Sequence, residues 1–225
     1  YGPMTCPCAC DDLNGLADTF PLEGSWSSPQ VVIDDLNNDG SYEYLICSRQ
    51  RIQILDNQGS ALPGWPVTRI GNLTKGCAIG DINGNGISEI IYLENTVPPR
   101  IHCRLPFDDN GDGTADELPG WPVEVETTFP LYYTEAPILA DIDRDGNPEI
   151  ITAFNCRSSD DSHRRVLSAY HPDRSLLPGW GREEVIPESD FGRICAADIT
   201  GDGIPEILLS SANGVTARGL DCEDL

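Results

Sequence analysis

A nine-position acidic loop recurs four times in matching surroundings, and this repetition limits what the chain can fold into more than any other feature. The copies run Asp35 to Glu43, Asp81 to Glu89, Asp141 to Glu149 and Asp198 to Glu206, each with oxygen-bearing side chains at positions one, three, five and nine and glycine at six. A hard divalent cation makes this demand, because it needs six to eight oxygens around one point and a sharp turn to gather them. Loop one offers Asp35, Asn37, Asp39 and Glu43, and loop two Asp81, Asn83, Asn85 and Glu89. Loop three offers Asp141, Asp143, Asp145 and Glu149, and loop four Asp198, Thr200, Asp202 and Glu206. The backbone carbonyls at position seven, those of Ser41, Ile87, Asn147 and Ile204, complete each sphere. A fifth copy outside the repeat frame supplies Asp108, Asn110, Asp112 and Asp116 with the carbonyl of Thr114. Asp, Asn and Gly also build ordinary turns, but five copies in one pattern argue for an ion. The expected ion is calcium, about four to five per chain, held tightest in loop three, where all four side chains are carboxylates.

The flanking residues separate this pattern from an EF-hand, which would place helices on both sides. Short apolar runs stand there instead: Val31 to Ile33 and Tyr44 to Cys47, Cys77 to Ile79 and Ile90 to Leu93, Pro137 to Ala140 and Ile150 to Ala153, Ile194 to Ala197 and Ile207 to Ser210. Runs of this length, rich in β-branched residues and bounded by turn signals, predict buried strands, so each loop is a strand-to-strand turn. Leu36, Ile82, Ile142 and Ile199, at position two, are expected in the core. A second repeated element is Leu62-Pro-Gly-Trp-Pro-Val67, Leu118-Pro-Gly-Trp-Pro-Val123 and Leu177-Pro-Gly-Trp180, each preceded by an alternating third strand such as Ile52 to Leu55 or Val166 to Tyr170. The Trp is expected on a fourth strand, packed between units. Loops starting at 35, 81, 141 and 198 mark out four-stranded units at a period near fifty, the spacing of radially repeated sheets.

These units resemble FG-GAP repeats, the calcium-bearing β-propeller blades of integrin α subunits and of many secreted microbial proteins. The acidic loops carry the resemblance, and the Leu-Pro-Gly-Trp turn of secreted relatives supports it, over nearly everything after about residue 16. Phe191-Gly192 and Glu135-Ala-Pro137 echo the family's Phe-Gly and Gly-Ala-Pro signatures. The resemblance implies an all-β propeller of four-stranded antiparallel blades, about four repeats over 16–225 behind a Cys-rich segment 1–15, with structural calcium at the residues named above. The last unit lacks a Leu-Pro-Gly-Trp turn, whereas Leu16 to Leu22 resembles one. That N-terminal stretch is expected to supply the missing strand, closing its own ring or completing a neighbouring copy. Family propellers more often carry six or seven blades, which leaves a piece of a larger ring as a further arrangement.

A net charge of −23 disfavours nucleic acid and anionic membranes as partners, and no run of eighteen apolar residues suggests a membrane span. The absence of a visible signal peptide fits a processed chain. Nine cysteines beside calcium loops predict disulfides in an oxidising compartment, with Cys47–Cys77 and Cys156–Cys195 each joining consecutive units, and Cys6, Cys8 and Cys10 near Cys222. The odd count leaves one thiol buried or bonded between chains. Asn72-Leu-Thr74 is a glycosylation sequon, expected on a surface turn. His102, His163 and His171 are scattered without a nucleophile motif, and His163 closes a polar stretch that reads as a surface loop. The expectation is a secreted or cell-surface, non-enzymatic scaffold whose partner is another copy of itself or an extracellular protein or glycan. The alternative is the propeller part of a secreted polysaccharide lyase, in which Trp26, Trp65, Trp121 and Trp180 would stack on sugar rings.

Overall fold

Strands bounded by acidic turns fold into four antiparallel sheets in the computed structural model, which describes residues 30–48, 51–68, 72–73, 76–125, 131–157, 162–186, 192–211 and 214–223. Sheet one comprises β1 (Gln30–Asp34), β2 (Glu43–Cys47), β3 (Arg51–Leu55) and β4 (Val67–Thr68), in that order. Sheet two comprises β5 (Asn72–Leu73), β6 (Ala78–Gly80), β7 (Glu89–Asn95), β8 (Arg100–Arg104) and β9 (Val123–Glu124). Sheet three comprises β10 (Leu131–Thr134), β11 (Ile138–Ala140), β12 (Glu149–Arg157), β13 (His163–Tyr170) and β14 (Arg182–Ile186), and sheet four β15 (Ile194–Ala197), β16 (Glu206–Ser211) and β17 (Gly214–Arg218). In sheets two and three the first position is split, with β5 and β6 both pairing β7, and β10 and β11 both pairing β12. The chain is therefore all-β, each sheet a meander. The stretch Leu16 to Leu22, expected to add a strand to sheet four, lies outside the described residues, as do the segment 1–15, Trp26 and Phe191.

Side chains alternate between the faces of a strand, and in sheets two and three both faces are apolar because each is sandwiched between two neighbours. The forward face of sheet one (Leu45, Cys47, Ile52, Ile54) packs with Leu36, Trp65 and Val67 on Cys77, Ile90, Tyr92 and Ala115 of the second unit. The forward face of sheet two (Ile91, Leu93, Ile101, Cys103), with Ile82 and Trp121, meets Ile150, Phe154, Cys156 and Val166. The forward face of sheet three (Ile151, Ala153, Leu167, Ala169), with Ile142 and Trp180, meets Ile194, Ile207 and Leu209. The three tryptophans are thus inter-sheet packing residues, as expected. Each stands in the turn ahead of the short fourth strand, not on the strand itself.

The Leu-Pro-Gly-Trp segment is a β-turn closed by the Trp amide on the Leu carbonyl, at 3.1 Å for Trp65 and 3.0 Å for Trp121. Its glycine needs a positive φ, +83° at Gly64, and also a missing Cβ, since an added one would stand 2.4 Å from the Ala115 nitrogen of the second unit. Gly40 in loop one has a similar φ of +87° with nothing within 4 Å. Replacing Gly64 with Ala should therefore cost ~2–3 kcal/mol, strain plus overpacking, against about 1 kcal/mol at Gly40, where only the left-handed backbone is penalised. Urea denaturation of the two variants in chelator checks this.

Four expectations need correction. Cys47 and Cys77 form a disulfide, but Cys156 and Cys195 do not. Cys156 is buried on the rear face of sheet three, against sheet two, whereas Cys195 is exposed on the forward face of sheet four. Relative to its loop, each of these cysteines is displaced by an odd number of residues from the Cys47 or Cys77 position, and an odd displacement turns a strand side chain to the other face. His163 is buried at the start of β13, while residues 158–161 lie outside the described ones. Asn72 and Leu73 form β5 instead of a turn, and Thr74 lies outside the described residues. Ile199 is 56% exposed, whereas Leu36, Ile82 and Ile142 are 0%, 0% and 1% exposed. Position-two residues face the following sheet, and no described sheet follows the fourth.

Candidate metal centres

All five acidic loops fold with one hydrogen-bond grammar. The position-one carboxylate accepts the position-six amide, as in Gly40 to Asp35 at 2.9 Å, Gly86 to Asp81 at 2.7 Å, Gly113 to Asp108 at 2.8 Å, Gly146 to Asp141 at 3.1 Å and Gly203 to Asp198 at 2.8 Å. The position-five side chain accepts the position-seven amide, from Ser41, Ile87, Thr114, Asn147 and Ile204. The closing carboxylate reaches back to the amide of position two: Leu36 to Glu43, Ile82 to Glu89, Asp109 to Asp116, Ile142 to Glu149 and Ile199 to Glu206, all between 2.8 and 3.0 Å. Position six is always a glycine at positive φ. Position four is left-handed too, at Asn38, Gly84, Gly111, Arg144 and Gly201, with Asn or Gly in four of the five loops and Arg in loop three.

The first four loops lie side by side along one rim. The Ser88 amide donates to the Leu36 carbonyl at 3.2 Å, and the Arg144 guanidinium of loop three donates to the Asp202 carbonyl of loop four. A Cβ at Gly84 of loop two would stand 3.7 Å from Asn147 Oδ1 of loop three. The closing glutamates form the buried floor: Glu43, Glu89, Glu149 and Glu206 are 2%, 0%, 0% and 5% exposed. Burial pushes the carboxyls of Glu43, Glu89 and Glu149 upward, outweighing the backbone amides that pull them down, and neighbouring loop carboxylates push the same way. Asp39, exposed at the lip, is held low by the Ser41 amide.

In three loops position three satisfies the floor carboxylate, whereas in loop one Asn37 donates to Asp39. In loop two the Asn83 amide donates to Glu89 Oε1 at 2.7 Å, in loop four the Thr200 hydroxyl donates to Glu206 Oε1 at 3.1 Å, and in the fifth loop Asn110 donates to Asp116. Loop three has Asp143 there, which has no proton to give at neutral pH. Glu149 Oε1 and Asp141 Oδ1 are accordingly buried and accept no hydrogen bond. A cation beside Glu149 would satisfy its open oxygen, so the loop-three residues fit a metal. Ligand atoms of Asp143, Asp145, Glu149 and His171 lie within 4.8 Å of one another, as do those of Asp198, Asp202 and Glu206. The structure thus brings the expected loop-three and loop-four carboxylates together and adds His171, which sequence reasoning left unassigned.

Away from the loops, a buried polar network occupies sheet two. His102 places Nδ1 2.7 Å from Glu117 Oε1 and Nε2 3.3 Å from Glu94 Oε2, stacks on Tyr92 at 4.6 Å, and shares Glu117 with Arg104. Arg104 also donates to the Tyr92 hydroxyl at 2.8 Å, so each member of the network is committed to another.

Fold and site together define an all-β protein of successive antiparallel sheets with acidic turns able to hold metal. No protein-family model matches the chain, and no curated protein matches it. Among solved structures the chain is similar to the biofilm matrix protein Bap1 of V. cholerae, at 18% identity and a TM-score of 0.44. That alignment covers 88% of this chain and 38% of the neighbour, so the chain spans well under half of that protein's length.

Proposed function

We propose that the four sheets are blades of a calcium-stabilised β-propeller of FG-GAP type, and that the chain is a secreted, non-catalytic scaffold unit that assembles with copies of itself. One observation carries this reading: the same forward-to-rear docking joins sheets one to two, two to three and three to four, and apolar side chains stay exposed on the forward face of sheet four and on edge strand β1 at the rear of sheet one, where Ile46, Gln53 and Leu55 are buried. On sheet four, Ile199 and Val215 are 56% and 67% exposed; on sheet one, Val31 and Ile33 are each 57% exposed. Exposed apolar side chains at both ends fit a further contact of the kind made three times within the chain, and a heterologous contact of this kind propagates from copy to copy. Calcium in the rim loops would hold successive strand turns rigid and keep the blade spacing constant along the assembly. The Cys47–Cys77 disulfide, which ties sheet one to the second unit, fits an oxidising extracellular compartment. Among the described residues no helix is long and apolar enough to cross a membrane.

Sedimentation velocity in saturating calcium tests the proposal. The wild-type chain should form concentration-dependent oligomers, and Ile199→Glu or Val215→Glu should sediment as a monomer with an unchanged melting temperature, since side chains this exposed add little to the folded monomer. A wild-type chain that stays monomeric at every concentration would refute self-assembly and leave an extracellular protein or glycan as the partner to seek.

A further inference from the structure

Loop three differs from loops two, four and five at its floor, and from all four other loops in the side chain that stands over it. Its floor carboxylate takes no hydrogen bond from position three: Glu149 is fully buried, and its Oε1 faces the His171 ring instead. It also has a nitrogen donor. His171 Nδ1 stands 3.3 Å from Glu149 Oε1 and 3.9 Å from Asp143 Oδ2. The histidine follows β13, where strand register places Asp56 in the first unit, Leu105 in the second and Gly219 in the fourth. Its backbone is fixed by a five-residue turn, with the His171 amide donating to the Ser175 carbonyl at 3.0 Å and the Arg174 amide to the His171 carbonyl at 2.8 Å. Pro172 within that turn limits the freedom of the chain beside the ring.

We propose that loop three, alone among the five loops, binds a first-row transition-metal dication through His171 Nδ1 together with Asp143, Asp145 and Glu149. This rests on the reading that the loops hold cations and adds which cation this one prefers. Oxygen-only sites suit calcium, magnesium and manganese, whereas an imidazole in the first coordination sphere favours dications such as zinc, iron, nickel or copper. The four donor atoms, all within 4.8 Å of one another, span a sphere that a single ion can fill. Access is open: a cavity of about 430 Å³ lined by His171, Asp173 and Ser175 on one side and Asn83, Asp145 and Asn147 on the other leads to the ring. The neutral imidazole replaces a water, leaving the carboxylates to supply the charge.

Manganese is the probe, because it accepts both oxygen and nitrogen and reports its ligands magnetically. The full chain is stripped of metal, loaded with one equivalent of Mn²⁺ in the presence of calcium, and examined by pulsed electron paramagnetic resonance for coupling to ¹⁴N. Coupling to one imidazole is expected in the wild type and none in His171→Asn, with Mn²⁺ affinity at this site falling about tenfold or more while calcium affinity changes little. Manganese bound without nitrogen coupling, or coupling that persists in His171→Asn, overturns the assignment while leaving calcium binding at the loops intact. A chain that binds neither calcium nor manganese overturns the cation reading itself, and this assignment with it.

Discussion

Removing divalent cations should lower the melting temperature of the chain by ~10–20 °C. The estimate follows from mass action: an ion held at one hundred times its dissociation constant adds about 2.7 kcal/mol per site. Two such sites in a domain of this size move the midpoint by roughly that range at ~2–4 °C per kcal/mol. The physical source is the floor of the loops. Glu43, Glu89 and Glu149 are buried beside further carboxylates, and burial raises their proton affinity in the cation-free fold. This fixes the sign of the pH dependence. A carboxyl raised above its unfolded value of 4.5 binds more protons folded than unfolded, so its contribution is fully present below that value. It is lost as pH climbs through the raised folded value, and the stripped chain should become less stable from mildly acidic to neutral pH. With calcium bound, the same groups are ionised in the fold, and stability should fall on acidification instead. Thermal melts of dialysed, metal-free protein and of calcium-loaded protein across this range should give curves of opposite slope. Parallel curves would mean that the loops hold no ion.

How much could be read before the structure depended on whether a feature was local. The strands were legible because apolar runs such as Ile90 to Leu93 are bounded by Gly and Asp turns, and the Leu-Pro-Gly-Trp turn because Pro and Gly at its centre suit only a few backbone geometries. The loops were legible as sharp turns with oxygen at one, three, five and nine, and their hydrogen bonds came into view only with the structure. What escaped notice depended on distance or on parity. His171 lies twenty-two residues beyond Glu149 in sequence, and only the pairing of Ile150 with Tyr170 brings it to loop three. The pairing of Cys156 with Cys195 failed by offsets of three and one residues, both odd, that spacing near fifty does not resolve. Ile199 matches Leu36, Ile82 and Ile142 in its loop, yet its burial depends on a further sheet beyond sheet four. The floor carboxylate of loop three looked like one more ligand. Its missing hydrogen bond became visible only once Asn83, Thr200 and Asn110 were seen donating in the sister loops.

Truncating the tryptophan of a Leu-Pro-Gly-Trp turn should be the most damaging single change outside the loops, at about 3–5 kcal/mol for Trp65→Ala, Trp121→Ala or Trp180→Ala. Each ring is 5–6% exposed and fills the space between consecutive sheets. Substitution by Phe should then divide the three. Trp65 Nε1 donates to the Pro106 carbonyl and Trp180 Nε1 to the Leu220 carbonyl, both at 2.8 Å, and both bonds reach into the following unit. Trp121 Nε1 is buried and donates to nothing. A phenyl ring at 65 or 180 strands a carbonyl at the joint, costing ~1–3 kcal/mol beyond the lost area, whereas at 121 it removes an unpaired donor and recovers part of that loss. Urea unfolding of the three Phe variants should therefore place Trp121→Phe nearest the wild type. Three equal losses would mean that only apolar area counts at these joints. A larger loss at 121 would require a partner for Trp121 Nε1 in the folded protein, and with it a different account of how sheets two and three are held.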